Sequence, residues 1–222
     1  MDPSSYGTYL VTQQSISAGR STIAVVEDAT AGGVDVVQLR EKETETRRRY
    51  EVGLELRELT AEAGVDLIVN DRVDVAQAID ADGVHVGQSD LPVAVVRELL
   101  GSDAVIGCST STVDEAREAE AAGADYLGVG AVYGTSSKDV ADDEDGIGLE
   151  RIAAIVDAVS IPVVGIGGIT ADNARAVVEA GATGVAVISE ITAADDPRAA
   201  TERLAEAVET AKDVEDGSVG NE

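Results

Sequence analysis

Phenylalanine and tryptophan are absent from this 222-residue chain, and cysteine and histidine occur once each. With Cys108 alone, no intrachain disulfide can form. One histidine and one cysteine also leave no material for a Cys/His metal cluster. No apolar stretch approaches the roughly 20 residues that span a bilayer. The start, Met1-Asp2-Pro3-Ser4, has neither the basic nor the apolar region of a secretory leader. Lysine is nearly missing too: Lys42, Lys138 and Lys212 are all there are. Basic residues number 16 against 43 acidic ones, giving a net charge of -27. That balance repels nucleic acid and anionic lipid, so neither is an expected partner. An acid excess joined to lysine depletion reads as adaptation to a high-salt cytoplasm, where ions screen the repulsion. The expectation is a soluble cytoplasmic protein; whether it forms a homo-oligomer stays open.

What is present is aliphatic. Hydrophobic residues make up 44% of the chain. Without Phe or Trp, Val, Ala, Ile and Leu must fill the core, and such residues suit a parallel sheet covered on both faces. Strands are expected near 7–12, 35–40, 66–70, 83–87, 104–108, 125–131, 162–166 and 184–188. Amphipathic stretches at 44–63, 91–100, 113–122, 149–159 and 171–180 alternate with them, and a last helix at 197–212 should close the fold. Ala-Gly punctuation recurs before strands: Ala31-Gly32-Gly33, Ala63-Gly64, Ala122-Gly123 and Ala180-Gly181. Glycine there supplies the left-handed residue that stops a helix. Eight strands alternating with helices predict an α/β fold, a (β/α)8 TIM barrel, with 1–213 as one catalytic domain and 214–222 as a disordered acidic tail. An open doubly wound sheet is the alternative. The segment 133–148 is too long and polar for a plain connector.

Chemistry-bearing residues gather where these strands end. Asp71 closes Leu67-Ile68-Val69-Asn70-Asp71, and Asp90 follows Gly87-Gln88-Ser89. If the two runs are neighbouring parallel strands, the carboxylates emerge side by side and suit Mg²⁺ carrying a substrate phosphate. Either could instead be a helix N-cap, since helices follow both. Asn70 adds an amide, and Asp74 reads as a helix-dipole partner. Gln38-Leu39-Arg40-Glu41-Lys42 ends the second strand with a planar cation and a point charge, both suited to a diphosphate. In Ser109-Thr110-Ser111-Thr112, Ser109 is free to face a pocket, while Ser111 or Thr112 should cap the next helix. With Thr112 as cap, Glu115 completes a capping box. Thr135-Ser136-Ser137-Lys138 offers hydroxyls and an ammonium to carboxylate or phosphate. Gly165-Ile166-Gly167-Gly168 and Val187-Ile188-Ser189 close the last two strands, where barrels often bind phosphate through backbone amides. His85 lies within a strand and reads as an interior hydrogen-bonded residue. Cys108 reads as a small buried one.

Taken together, Gln38-Leu39-Arg40-Glu41-Lys42, Asn70-Asp71-Arg72-Val73-Asp74, the run from Ala81 to Asp90, and Gly165-Ile166-Gly167-Gly168-Ile169 resemble the thiamine phosphate synthase family in order and rough spacing. The resemblance implies a transferase joining hydroxymethylpyrimidine diphosphate to a thiazole phosphate. It implies that Gln38, Arg40 and Lys42 bind the pyrimidine diphosphate, that Leu39 and Glu41 of the same run belong with them to the substrate-binding set, and that Asn70 touches the pyrimidine. Asp71 and Asp90 would hold Mg²⁺, the implied cofactor. Ser109 and Lys138 would contact the diphosphate; with Arg40 and Lys42 they are the expected catalytic groups. Thr135 and Ser137, flanking Ser136, would face the thiazole carboxylate side. Gly168, Ile188 and Ser189 would bind the thiazole phosphate. The chain departs from the family pattern at Ala131, Gly134 and Ser137, and it carries extra acid at 142–145. Two rivals are a thiazole tautomerase of the same fold and a non-catalytic sensor of a phosphorylated ligand. The tautomerase would use a histidine in the strand-five loop, and 109–113 holds none.

Overall fold

The computed structural model describes residues 2–42, 44–134 and 146–218, the side chains of 214–218 excepted. Its elements are β1 (Thr8–Val11), α1 (Thr22–Ala31), β2 (Val36–Leu39), α2 (Thr46–Ala63), β3 (Asp66–Asn70), α3 (Val73–Ala78), β4 (Gly83–Val86) and α4 (Val93–Leu100). Then come β5 (Val105–Thr110), α5 (Val113–Ala121), β6 (Tyr126–Gly130), α6 (Gly148–Val156), β7 (Val163–Ile166), α7 (Ala171–Glu179), β8 (Gly184–Val187), α8 (Ser189–Thr192) and α9 (Pro197–Ser218). All eight strands are parallel, each pairs with the next, and β8 returns to β1 through Tyr9↔Ala186. The sheet is therefore a closed (β/α)8 barrel, and the open-sheet alternative is excluded.

Strand alternation sorts the side chains. One set faces the helices and builds the larger core, including Leu10, Val37, Leu39, Leu67, Val69, Val84, Ile106, Leu127 and Val129. The other set fills the barrel: Tyr6, Tyr9, Val11, Val36, Ile68, Val105, Tyr126, Val164, Ala186 and Ile188. With no Phe or Trp available, tyrosines supply the interior bulk. Tyr6 meets Tyr9 and Tyr126 edge-on, with ring centroids 6.1 and 5.5 Å apart. Their hydroxyls need partners in so dry a place, and Tyr6 donates to Asp66 Oδ2 at 2.8 Å.

The helices start and stop where local chemistry dictates. Thr112 and Glu115 form the capping box of α5. Gly64, at φ 71°, ends α2 in the left-handed conformation. Aspartates just before alternate strands accept amides at the start of the strand preceding them. Asp35 takes Gly7 and Thr8, Asp82 takes Leu67, and Asp125 takes Ile106. The final helix continues past 212 to Ser218, into the segment expected to be a tail; residues 219–222 lie outside the description. No helix among the described residues is long and apolar enough to cross a membrane.

Candidate active site

Inward-facing residues of all eight strands line one cleft at the carboxyl ends of the strands. Tyr9 and Val11 come from β1, Gln38 and Arg40 from β2 and its end, Asn70 from β3, His85 from β4 and Ser109 from β5. Tyr126 and Gly128 of β6, Val164 and Ile166 of β7, and Ala186 and Ile188 of β8 complete it. The space holds about 420 Å³ counted to its open mouth. Apolar walls and a few polar groups are the usual makeup of a small-molecule site.

The polar groups at its base are joined. Gln38 Nε2 donates to Tyr9 Oη at 2.8 Å, Tyr9 and Tyr126 share a hydroxyl–hydroxyl bond of 2.8 Å, and Tyr126 Oη lies 3.0 Å from His85 Nδ1. His85 Nε2 lies 2.8 Å from Ser109 Oγ. The expectation that His85 is an interior hydrogen-bonded residue holds, and it also lines the cleft. Tyr9 and Tyr126 are absent from the candidates drawn from sequence. Their signal was available in the strand alternation, which places Tyr9 two residues before Val11 and Tyr126 two before Gly128.

At the rim, β3 and β4 are neighbours, Asn70 pairing with His85, so Asp71 and Asp90 leave adjacent strands. Neither caps a helix: α3 and α4 begin after Arg72 and Pro92, without a side-chain cap. Asp71 takes φ 61°, a left-handed conformation that Asp tolerates better than most residues, and its amide donates to His85 O. Asp90 folds back, its Oδ2 accepting the Gly87 amide at 2.8 Å. Burial holds the Asp71 carboxyl above the ordinary carboxylate range, and the Asp90 charge and hydrogen bond beside it push the same way; Lys42 and Asn70 pull it down. The two carboxylates thus crowd each other beside Lys42. Crowded carboxylates of this kind fit a divalent cation, which removes the repulsion. No group of three or more His, Cys, Asp or Glu residues gathers for a metal among the described residues. Two protein carboxylates with substrate oxygens and water are a normal Mg²⁺ set. Asp74, as anticipated, sits in the first turn of α3, where Arg72 Nε donates to it at 2.8 Å.

The Gln38–Lys42 segment divides by alternation. Gln38 and Arg40 face the cleft; Arg40 is 7% exposed, and its Nη1 reaches Gln13 Oε1 at 3.5 Å. Lys42 is exposed at the rim. Two side chains expected among the substrate ligands are placed elsewhere, and this corrects the motif-wide reading. Leu39 is fully buried in the helix-facing core. Buried Glu41 accepts the Thr22 hydroxyl at 2.8 Å and the Gln14 amide at 3.0 Å, tying the strand end to α1 and the loop before it.

Ser109 lies within β5, which runs to Thr110 because Ser109 and Thr110 pair with Gly128 and Val129. Gln88 Nε2 donates to its carbonyl at 2.8 Å. Cys108 is buried, and burial pushes its thiol up to about 11. Gly167 and Gly168 turn with φ 104° and 65°. A Cβ on Gly168 would come within 2.8 Å of Gly134 O, so glycine lets the sixth and seventh strand-end loops pack together. Ile188 lines the cleft and Ser189 begins α8. Thr135, Ser136, Ser137 and Lys138, with the acidic stretch 142–145, lie outside the described residues.

Comparison with known proteins gives the family and agrees with the fold. The family model described as thiamine monophosphate synthase matches residues 8–191. The chain is 67% identical to a thiamine-phosphate synthase of Natronomonas pharaonis over 92% of its own length and 95% of the relative's. It is 65% identical to one of Haloarcula marismortui, covering 92% and 97%. Among solved structures it resembles a thiamine phosphate pyrophosphorylase from Pyrococcus furiosus, with a TM-score of 0.86 and 43% identity over 94% of this chain and 98% of that one.

Proposed function

The chain belongs to the thiamine monophosphate synthase family of transferases, and from that premise we propose that it joins hydroxymethylpyrimidine diphosphate to a thiazole phosphate. The bond from the pyrimidine methylene to the diphosphate oxygen breaks, and its electron pair leaves with diphosphate. The aminopyrimidine ring stabilises the methylene cation, and the thiazole nitrogen lone pair forms the new C–N bond. Thiamine phosphate and diphosphate are the products, with CO₂ lost where the thiazole carries a carboxylate.

The observation that carries this reading is that β3 and β4 pair at Asn70 and His85, which line the cleft, so that Asp71 and Asp90 follow adjacent strands at the same end of the barrel. Mg²⁺ held by Asp71 and Asp90 would neutralise charge on the leaving group. Arg40 and Lys42, with Lys138 and Ser109, stabilise the departing diphosphate. Gln38 and Asn70 orient the pyrimidine. Thr135, Ser136 and Ser137 are assigned to binding the thiazole carboxylate, by the family resemblance alone. Backbone groups of Gly168, Ile188 and Ser189 hold the thiazole phosphate, which aligns its nitrogen for capture. No side-chain nucleophile is required. Residues 1–213 act as one catalytic domain, working in a salt-rich cytoplasm that screens the acidic surface.

The test incubates purified protein with both phosphorylated heterocycles in molar KCl, with and without Mg²⁺. Mg²⁺-dependent thiamine phosphate is the expected product. Asp90→Ala and Lys138→Ala should each reduce turnover by roughly 10²-fold or more while leaving the fold intact by circular dichroism. Near-normal activity in both variants contradicts the reading.

A further inference from the structure

The side-chain chain across the barrel base has a direction. Gln38 gives an amide N–H to the Tyr9 oxygen. A phenol has one proton, and the Tyr9 proton then goes to its other partner, the Tyr126 oxygen 2.8 Å away. Tyr126 in turn has its proton for His85 Nδ1 at 3.0 Å. Both phenols stay protonated, since burial raises each well above the usual tyrosine range. A ring that accepts at Nδ1 carries its proton at Nε2, which faces Ser109 Oγ at 2.8 Å. The serine oxygen is then engaged as an acceptor, and its own proton is left for a ligand in the cleft.

The barrel is cut to hold this arrangement. Gly107 on β5 and Gly128 on β6 occupy inward positions beside the two rings. A Cβ on Gly107 would fall 2.2 Å from Tyr126 Cζ and 2.4 Å from His85 Nδ1, and one on Gly128 would fall 2.8 Å from His85 Cε1. Glycine in a strand interior weakens the strand and commonly marks a close approach. Here two adjacent strands carry one each, at the His85–Tyr126 contact.

We propose that Gln38, Tyr9 and Tyr126 are positioning residues that fix His85 as its Nε2–H tautomer and thereby make Ser109 an obligate hydrogen-bond donor toward an acceptor atom of the pyrimidine diphosphate. The role of the ligand rests on the function proposed above. The polarity of the chain does not, because it is a property of the ligand-free protein.

His85 is the only histidine, so histidine labelled with ¹⁵N in the ring reports one imidazole. In ligand-free protein at about pH 7.5, a protonated Nε2 and a bare Nδ1 are expected. An Nδ1–H tautomer or an imidazolium overturns the proposal. Tyr126→Phe removes the donor to Nδ1 and should move the ring toward Nδ1–H. It should also raise the KM for the pyrimidine diphosphate by roughly 10-fold while leaving that for the thiazole phosphate unchanged. A wild-type ring spectrum in that variant also overturns it. Should Tyr126→Phe fail to fold, Tyr9→Phe is the second variant: Tyr126 then lacks its donor, can accept from Nδ1–H, and the Nδ1–H fraction should rise. The ring spectrum needs no substrate, so it can fail while thiamine phosphate still forms, and the reverse also holds.

Discussion

Single residues set the charge state of the rim carboxylates. Asp71 titrates above the ordinary carboxylate range because burial and Asp90 both disfavour its charge. A raised folded value means that the linked stability is fully present below the unfolded value, about 3.9, and is lost as pH rises through the folded one. Ionising Asp71 in the metal-free protein therefore costs stability. On the reading proposed above Mg²⁺ would bind the charged form, so its stabilising effect should grow with pH. Thermal melts with and without Mg²⁺ at about pH 5 and about pH 7.5 check this. The larger metal-dependent rise in Tm is expected at the higher pH, and Asp71→Asn should abolish the difference. The glycines give a second outcome at this scale. Gly107→Ala forces a Cβ into the His85–Tyr126 contact and should destabilise by about 1–3 kcal/mol, read from the urea midpoint.

At the scale of elements, the sequence was an accurate guide. Helix-stopping glycines and short continuous apolar runs located all eight strands, because a parallel barrel strand is buried on both faces and cannot hide its composition. That Asp71 and Asp90 leave adjacent strands was legible because consecutive strands of a barrel are neighbours. The motif Gln38–Lys42 is less uniform than its run of polar residues suggests. Alternation alone turns Leu39 and Glu41 away from the face that Gln38 and Arg40 share. Tyr9 and Tyr126 stayed hidden because their partnership spans 117 residues of sequence, and no local pattern announces which inward side chains meet. Glu41 joins β2, the β1 loop and the start of α1 through two hydrogen bonds. Glu41→Ala should cost about 1–3 kcal/mol, since the Thr22 hydroxyl and the Gln14 amide lose their shared acceptor. The double variant with Thr22→Val should lose less than the sum of the single variants in thermal denaturation, as expected for groups in contact.

Across the whole molecule, a net charge of -27 opposes compaction. Its self-repulsion reaches about 10 Å in 0.1 M salt but only about 3 Å at 1 M. The Tm should accordingly climb between those concentrations of KCl, and equal Tm values would mean that the surface charge does not oppose folding. The barrel's shape has a further effect. Its cleft is closed underneath by Tyr6, Tyr9 and Tyr126, so traffic must use the upper opening. Whichever reactant lies deeper has to arrive before the other and depart after it. For the two-substrate reaction proposed above, an aromatic plug at the bottom of the barrel would thereby impose a queue.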